Sequence, residues 1–551
     1  MRLTLSATAL LAFNIHCATV NEALWHLAHA WQAENNSEQA IATALKLLER
    51  DAKHTDALLL LGMEYYKQGN TAQALACFER RLQTHPHCAT THLYSGMAHA
   101  VLNNIDSAIS HYEQALTYDP TIAKTYGVFG IALEKKGLHE QAINIYEKGL
   151  EKDPNNHEVR MHLATLLKTQ KKFESSLQHY DHLLHKNPHN VSCLQTKAEL
   201  LVALGRIHEG LSLCDTLVAA QSNNQKLILA SAHLHAQAAS YDRAYALFEQ
   251  LMHKSSQQTS LHFEMSKLQL LQGKLENGFY HLHMSNESSG FIHKRLKDIT
   301  AIPGSTILIG AEWLHEDMLH FVRFARILKE QGAFVVVQTP KALKPLLSLC
   351  PYIDRVLALE HKELCPFDFY IPLTSLPYLL RDIDTSLAHQ APYLFADKKL
   401  IEQWQNTLAI SPKVNIGLYL KSSIIPLQNL LEQLPLNTHL HIFYSPEGYT
   451  ALQNIPETRM VQCYGRGFDE SLENMMHMAA LMSIMDVIIT TDCTMAHLAG
   501  GLGKKTIVIT DENHLSHWRW MTKELCSLWY PTIYTTKDTM LSSLLKEIIT
   551  D

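Results

Sequence analysis

The feature that most constrains this chain is a period of 34 residues that runs through its N-terminal half without insertion. With Thr55 as the first position, the eighth, twentieth, twenty-fourth and thirty-second hold Gly62, Ala74, Phe78 and Pro86. One period on they hold Gly96, Ala108, Tyr112 and Pro120, then Gly130, Ala142, Tyr146 and Pro154, then Ala164, Ser176, Tyr180 and Pro188. The frame extends outward through Ala28 and Ala40, and through Ala198, Gly210 and Cys214. It continues through Ala232, Ala244 and Phe248 to Ser266 and Gly278. A fixed period of this length is the signature of stacked supersecondary units. Small residues at the eighth and twentieth positions let two antiparallel helices approach closely, and large residues at positions 4, 7, 11 and 24 fill the space around them. Proline at position 32 has no N–H to donate and ends the second helix. One helical hairpin cannot bury its apolar stripe alone, so neighbours must stack.

This pattern resembles the tetratricopeptide repeat, and an α-solenoid of about eight repeats is expected over residues 21–292. The resemblance implies a protein-interaction scaffold whose first helices line a groove, with Met63, Tyr66, Met97 and Ile131 facing it. Ordinary packing between repeats is the alternative for those four. The net charge of −7 gives no footing for a nucleic-acid polymer as partner. The ten cysteines form no CxxC pair, and the 34 histidines are dispersed, as in His233-Leu234-His235 and His281-Leu282-His283. No metal site and no cofactor are expected.

From Gly304 the pattern changes to short β-rich runs alternating with helical stretches. The runs at 306–310, 334–338, 355–359, 368–372, 414–420, 440–444, 485–490 and 506–510 read as strands. Apolar strands separated by helices imply parallel sheets covered on both faces. Two groups, on either side of residue 400, predict two Rossmann-like lobes at 300–400 and 401–551. Ligands of such sheets bind at the carboxyl ends of the strands.

The most informative segment is 485–510, in which a buried strand runs into Thr491-Asp492 and a helix starts near Thr494. A helix N-terminus offers free N–H groups and a positive dipole end to a phosphate, close to Cys493 and Thr494. A purely structural strand–turn–helix is the alternative. TTDCTMAHLAGGLGKKTIVI, beginning at Thr490, resembles the signature of the ADP-heptose:lipopolysaccharide heptosyltransferase family (glycosyltransferase family 9). The likeness is to the bacterial branch whose catalytic domain follows tetratricopeptide repeats. His517-Trp518-Arg519-Trp520 resembles that branch's DWRW, and Ser527-Leu528-Trp529-Tyr530-Pro531-Thr532 its SPWYPT. Blocks beginning at Ile371 and Ala391 are similar to further anchors.

The resemblance implies a GT-B fold and metal-independent transfer from a nucleotide-sugar donor to a protein or glycan acceptor held by the repeats. Asp317 would be the general base. Asp492, Cys493, Thr494, His497 and Gly500 would organise the diphosphate, with Lys421 and Ser422 beside it. Two departures stand out. The family's glycine-rich first loop is replaced by Glu312-Trp313-Leu314-His315-Glu316-Asp317, and a basic loop is reduced to Lys421-Ser422-Ser423. The alternative is therefore a non-catalytic pseudo-glycosyltransferase serving as an interaction scaffold. The protein O-GlcNAc transferases share the two-part plan, but their catalytic region is longer than the one here. Residues 3–15 are apolar behind Arg2 and are expected to cap the solenoid rather than to form an export signal or a transmembrane helix. A cytoplasmic location follows as the expectation.

Overall fold

The computed structural model describes residues 20–254, 258–286, 291–297, 299–310, 315–360, 365–383, 386–408, 413–420, 430, 433–435, 438–444, 460–463, 475–510, 518–520, 522–523, 526–527, 529–536, 541, 544–545 and 548. Residues 1–19 lie outside that set, and with them the expected capping helix. The chain divides into two compact units, Met1–Ala220 and Gln221–Asp551.

The first unit contains six helical hairpins. Their helices are α1 (Val20–Ala33), α2 (Ser37–Arg50), α3 (Thr55–Lys67), α4 (Thr71–Thr84), α5 (Ala89–Val101), α6 (Ile105–Tyr118), α7 (Ala123–Lys135), α8 (His139–Lys152), α9 (His157–Thr169), α10 (Phe173–Lys186), α11 (Val191–Ala203) and α12 (Ile207–Ala220). The periodic small residues do what their positions predict. A Cβ on Gly62 would sit 2.4 Å from Phe78, and one on Gly130 would sit 2.2 Å from Tyr146, so the ring at position 24 lies directly on the glycine at position 8. Position 4 does more than fill space. His92, Tyr126 and Arg160 each donate to the carbonyl of the proline that ended the preceding repeat: Pro86 at 2.8 Å, Pro120 at 3.0 Å and Pro154 at 2.6 Å.

Each hairpin turns through one left-handed residue. Asn35, Asn103 and Lys171 (φ 55°, 61° and 59°) alternate with Gly69, Gly137 and Gly205 (φ 80°, 80° and 79°), always at position 15. The second unit continues the alternation with Ala239 (φ 57°) and Gly273 (φ 73°). Only glycine takes this conformation without steric cost.

The second unit holds two further hairpins, α13 (Gln225–Gln237) with α14 (Tyr241–Met252) and α15 (Gln258–Leu271) with α16 (Leu275–Ser285). Two sheets follow. The first is parallel, in the order β3-β2-β1-β4, from β1 (Thr306–Gly310), β2 (Phe334–Thr339), β3 (Arg355–Ala358) and β4 (Phe369–Pro372). The second runs β10-β11-β12-β9-β8-β5-β6-β7. Its strands are β5 (Asn415–Tyr419), β6 (His439–Tyr444), β7 (Met460–Cys463), β8 (Val487–Thr491), β9 (Lys505–Ile509), β10 (Thr522–Lys523), β11 (Cys526–Ser527) and β12 (Ile533–Thr536). Six of them, from β12 to β7, are parallel. In chain order those six are arranged 3-2-1-4-5-6, the order of a doubly wound dinucleotide-binding sheet, with its reversal between β5 and β8.

All eight strands expected from apolar runs are present within about two residues of their predicted ends. The longer helices beside the sheets are α17 (His315–Phe321), α18 (Lys398–Thr407), α19 (Met475–Ile484) and α20 (Thr494–Gly501). The last repeat helix shares the core of the sheets. Phe279 of α16 meets the edges of Phe321, Trp518 and Trp529 with ring centroids 6.4, 5.8 and 5.7 Å away.

Candidate functional site

Strands β1 and β8 each sit beside the point where their sheet reverses, and each delivers a helix at its carboxyl end. Helix α17 carries Asp317 and α20 carries Thr494, His497 and Gly500. The two helices touch through Thr494, whose hydroxyl donates to Glu316 Oε1 at 3.3 Å. The helix that carries Asp317 thus lies beside Thr494 of the 492–500 segment. Lys421 and Ser422 lie outside the described residues, as do Glu312, Trp313 and Leu314.

The surroundings of each side chain decide what it can do. Asp317 is 9% exposed, and its carboxylate accepts from the guanidinium of Arg519 in a buried ion pair. Burial pushes the Asp317 carboxyl above its ordinary value and the neighbouring Glu316 adds to this, while Arg519 pulls the other way. Asp492 is exposed at the end of β8. Cys493 is buried, and that burial raises its thiol. Thr494 is half-buried.

His497 is 1% exposed, with Nδ1 2.7 Å from Tyr530 Oη and its ring stacked on Trp520 at 4.7 Å. Gly500 is a packing glycine. A Cβ there would lie 2.5 Å from the Tyr530 ring and 2.6 Å from Ile533. Of the five residues expected to face a diphosphate from this segment, Asp492 and Thr494 reach the surface.

Behind them lies a buried polar knot. Arg323 is 1% exposed, and its guanidinium is sandwiched between the rings of Tyr393 and Tyr530 at 4.4 and 4.3 Å. It donates to Trp529 O at 2.5 Å, Tyr393 Oη at 2.7 Å and His320 O at 2.7 Å. Tyr393 in turn donates to Leu319 O at 2.9 Å, and His320 Nδ1 lies 2.9 Å from Tyr530 Oη. A buried guanidinium needs its donors satisfied, here by carbonyl and hydroxyl oxygens, and two ring faces help to hold its charge. The WRW and WYPT blocks supply Arg519, Trp529 and Tyr530 to this region, contacts that motif reading alone does not assign. Among the described residues no group of three or more His, Cys, Asp or Glu side chains is gathered as a metal-binding set, and no helix is long and apolar enough to cross a membrane.

In the first unit the residues expected to face the groove form a row. Met63, Met97 and Ile131 recur at position 9 of three successive first helices, with Tyr66 one turn beyond Met63, and all four are half-buried. Val101 extends the row and is 60% exposed. At the next two repeats position 9 turns polar, with Thr165 and Glu199.

Residues 75–180 match the family described as "Surface lipoprotein assembly modifier, N-terminal TPR repeats", and residues 56–87 match the tetratricopeptide repeat. The N-terminal region is therefore built of tetratricopeptide repeats. Similar solved structures include a tetratricopeptide repeat protein from Parabacteroides merdae (16% identity, 45% of this chain and 98% of that one, TM-score 0.33). The C-terminal part of a TPR repeat-containing protein from Cytophaga hutchinsonii is 16% identical over 43% of this chain and 97% of that one, with a TM-score of 0.39. YrrB, described as a TPR protein with an unusual peptide-binding site, is 15% identical over 34% of this chain and 96% of that one, with a TM-score of 0.31. No curated protein matches the chain.

Proposed function

We propose that this tetratricopeptide-repeat chain is an interaction scaffold that holds an apolar segment of a partner protein along the first-helix face of its repeats. The observation that carries this reading is the row formed by Met63, Tyr66, Met97 and Ile131. Neighbouring apolar positions such as Leu58, Leu61 and Leu133 are 2% exposed or less, whereas the four residues of the row stay partly exposed across three repeats. Methionine suits such a face, because its flexible, polarisable side chain adapts to different apolar partners. An amphipathic helix or extended segment would bury the row at the usual gain of about 25 cal/mol per Å² of apolar surface.

Selection of peptides against the whole chain, followed by affinity measurement, tests this. Met63→Glu and Met97→Glu should weaken the selected peptides by about tenfold or more while leaving the circular dichroism unchanged. Peptides indifferent to both changes would refute the reading.

Two observations favour a second reading, the nucleotide-sugar transferase that the 490–509 segment resembles. Asp492 is exposed at the strand-order reversal, and burial raises the basicity of Asp317. Against catalysis stands Arg519, which occupies the carboxylate that would take the acceptor's proton. A thermal-shift series with ADP-, GDP-, UDP- and CMP-linked sugars separates the two readings. A selective rise abolished by Asp492→Ala would support the transferase, and none is expected of a pure scaffold.

A further inference from the structure

The seventh and eighth hairpins leave a cavity of about 580 Å³ between α13 and α15, in the second unit. Its floor is apolar, formed by Leu229, Leu251 and Leu261. Phe263 stands on its wall, a large ring with 45% of its surface exposed. Two cations border the same space. Lys226 lies one turn before Leu229 on α13, is exposed, and makes no ion pair among the described residues. Among the described residues Lys254 donates to neutral acceptors alone, Ser222 O at 3.2 Å and Asn223 Oδ1 at 3.1 Å. The one carboxylate on the wall, Glu264, is already paired with Lys267 Nζ at 2.9 Å, and that ammonium also lies 4.4 Å from the centre of the Phe263 ring. The site is thus an apolar slot with two uncompensated positive charges at its edge.

We propose that this slot docks an acidic segment of a partner protein, with an aspartate or glutamate meeting Lys226 and Lys254 and an adjacent apolar side chain seated on Phe263 and Leu229. Charge complementarity selects the carboxylate, since a basic segment would face like charges. The exposed ring and leucine floor select a peptide over a free anion, because phosphate alone would leave the apolar surface in water. The volume is that of a site for a few side chains. The inference stands beside the scaffold reading rather than on it, because it uses other residues and other chemistry.

Fluorescence anisotropy with the full chain and short labelled peptides tests it. The probes are an Asp/Glu-rich peptide carrying Leu and Phe, its charge-inverted Lys counterpart, and a version with Ser at the apolar positions. Only the first should bind saturably, and rising salt should weaken it. Lys226→Glu and Phe263→Ser should each cost about tenfold or more in affinity, while Met97→Glu should leave it unchanged. Binding untouched by Lys226→Glu and Phe263→Ser, equal binding of the Lys counterpart, or no binding at all would overturn the proposal. Inorganic phosphate displacing the peptide fully at low millimolar concentration would do so too, and would make the slot a simple anion site. Loss of binding only in Met97→Glu would assign the peptide to the apolar row, leaving the scaffold reading intact and this one refuted.

Discussion

Acidification should strike this chain at a recurring pair of histidines. His92 at position 4 faces His111 at position 23 of the same hairpin, Nδ1 to Nδ1 at 3.0 Å. His262 and His281 repeat the arrangement in the eighth hairpin at 2.8 Å. In the first pair the proton positions follow from the partners. His92 Nε2 must donate to Pro86 O, so its Nδ1 is an acceptor and His111 Nδ1 carries the hydrogen between them. His99 stacks on His111 at 5.3 Å, and Tyr118 lies 5.5 Å from His92.

Burial, with His92 and His99 adding, lowers His111 from 6.5 to about 4, and burial with His262 does the same to His281. The unfolded chain therefore binds more protons than the folded one between those values, so stability is intact above pH 6.5 and is lost as pH falls toward 4. Going from pH 7 to pH 5 should cost about 2 kcal/mol per pair. Urea unfolding followed by circular dichroism at both pH values reads this directly. His111→Gln keeps a donor toward His92 but cannot titrate, so the first unit of that variant should lose less than about half of the wild-type decrement. Equal losses in the two proteins would refute the argument.

Three further outcomes follow from other sites. Lys171→Gly and Ala239→Gly replace left-handed residues (φ 59° and 57°) and should each raise the unfolding free energy by about 1 kcal/mol in urea titrations. Arg519→Leu leaves Asp317 buried without its cation and should destabilise the second unit by about 3–5 kcal/mol, with part recovered when Asp317→Asn is added, as thermal melts would show. Cys88 should react with iodoacetamide ahead of Cys77, Cys193, Cys350 and Cys493 in peptide mapping of the native chain. Although burial opposes it, hydrogen bonds from Thr91 and Arg81, whose Nη1 lies 2.7 Å from the sulfur, lower the Cys88 thiol, whereas burial raises the other four.

The repeats were legible because close helix packing forces small residues at fixed intervals, and a period of that kind survives in sequence. Position 15 was not, although its backbone is the same in every hairpin. Asn, Gly, Lys and Ala all occupy it, and a conformational demand met by four residue types leaves no pattern. The eight expected strands announced themselves through apolar, mostly branched runs. Met460–Cys463 (MVQC) and Ile533–Thr536 (IYTT) did not, since each follows a short apolar pair with polar or sulfur-bearing residues. Asp317 was singled out only by the family resemblance; the structure sets its helix beside Thr494, both helices lying at carboxyl ends of strands. Its partner Arg519 is 202 residues away, and no spacing rule links them. No motif marks Arg323 in the sequence, and it is among the largest fully buried side chains.

That arginine also sets an order of events. Two of the acceptors that satisfy its donors come from residues 70 and 206 positions further along the chain. At ribosomal speeds of about 5–20 residues per second, Arg323 is made roughly 10–40 s before Trp529 and Tyr530. Through that interval the first sheet can pair its strands, but the 3-10 turn Val322–Phe324 that follows α17 holds a charge that water must keep solvated. Native burial of Arg323 therefore needs the segment that carries Trp529 and Tyr530, so the packing between the two sheets is completed only once that segment is made. Chains paused within this stretch would expose Phe321 and Phe324 beside an unsatisfied guanidinium, the kind of surface that holding chaperones bind.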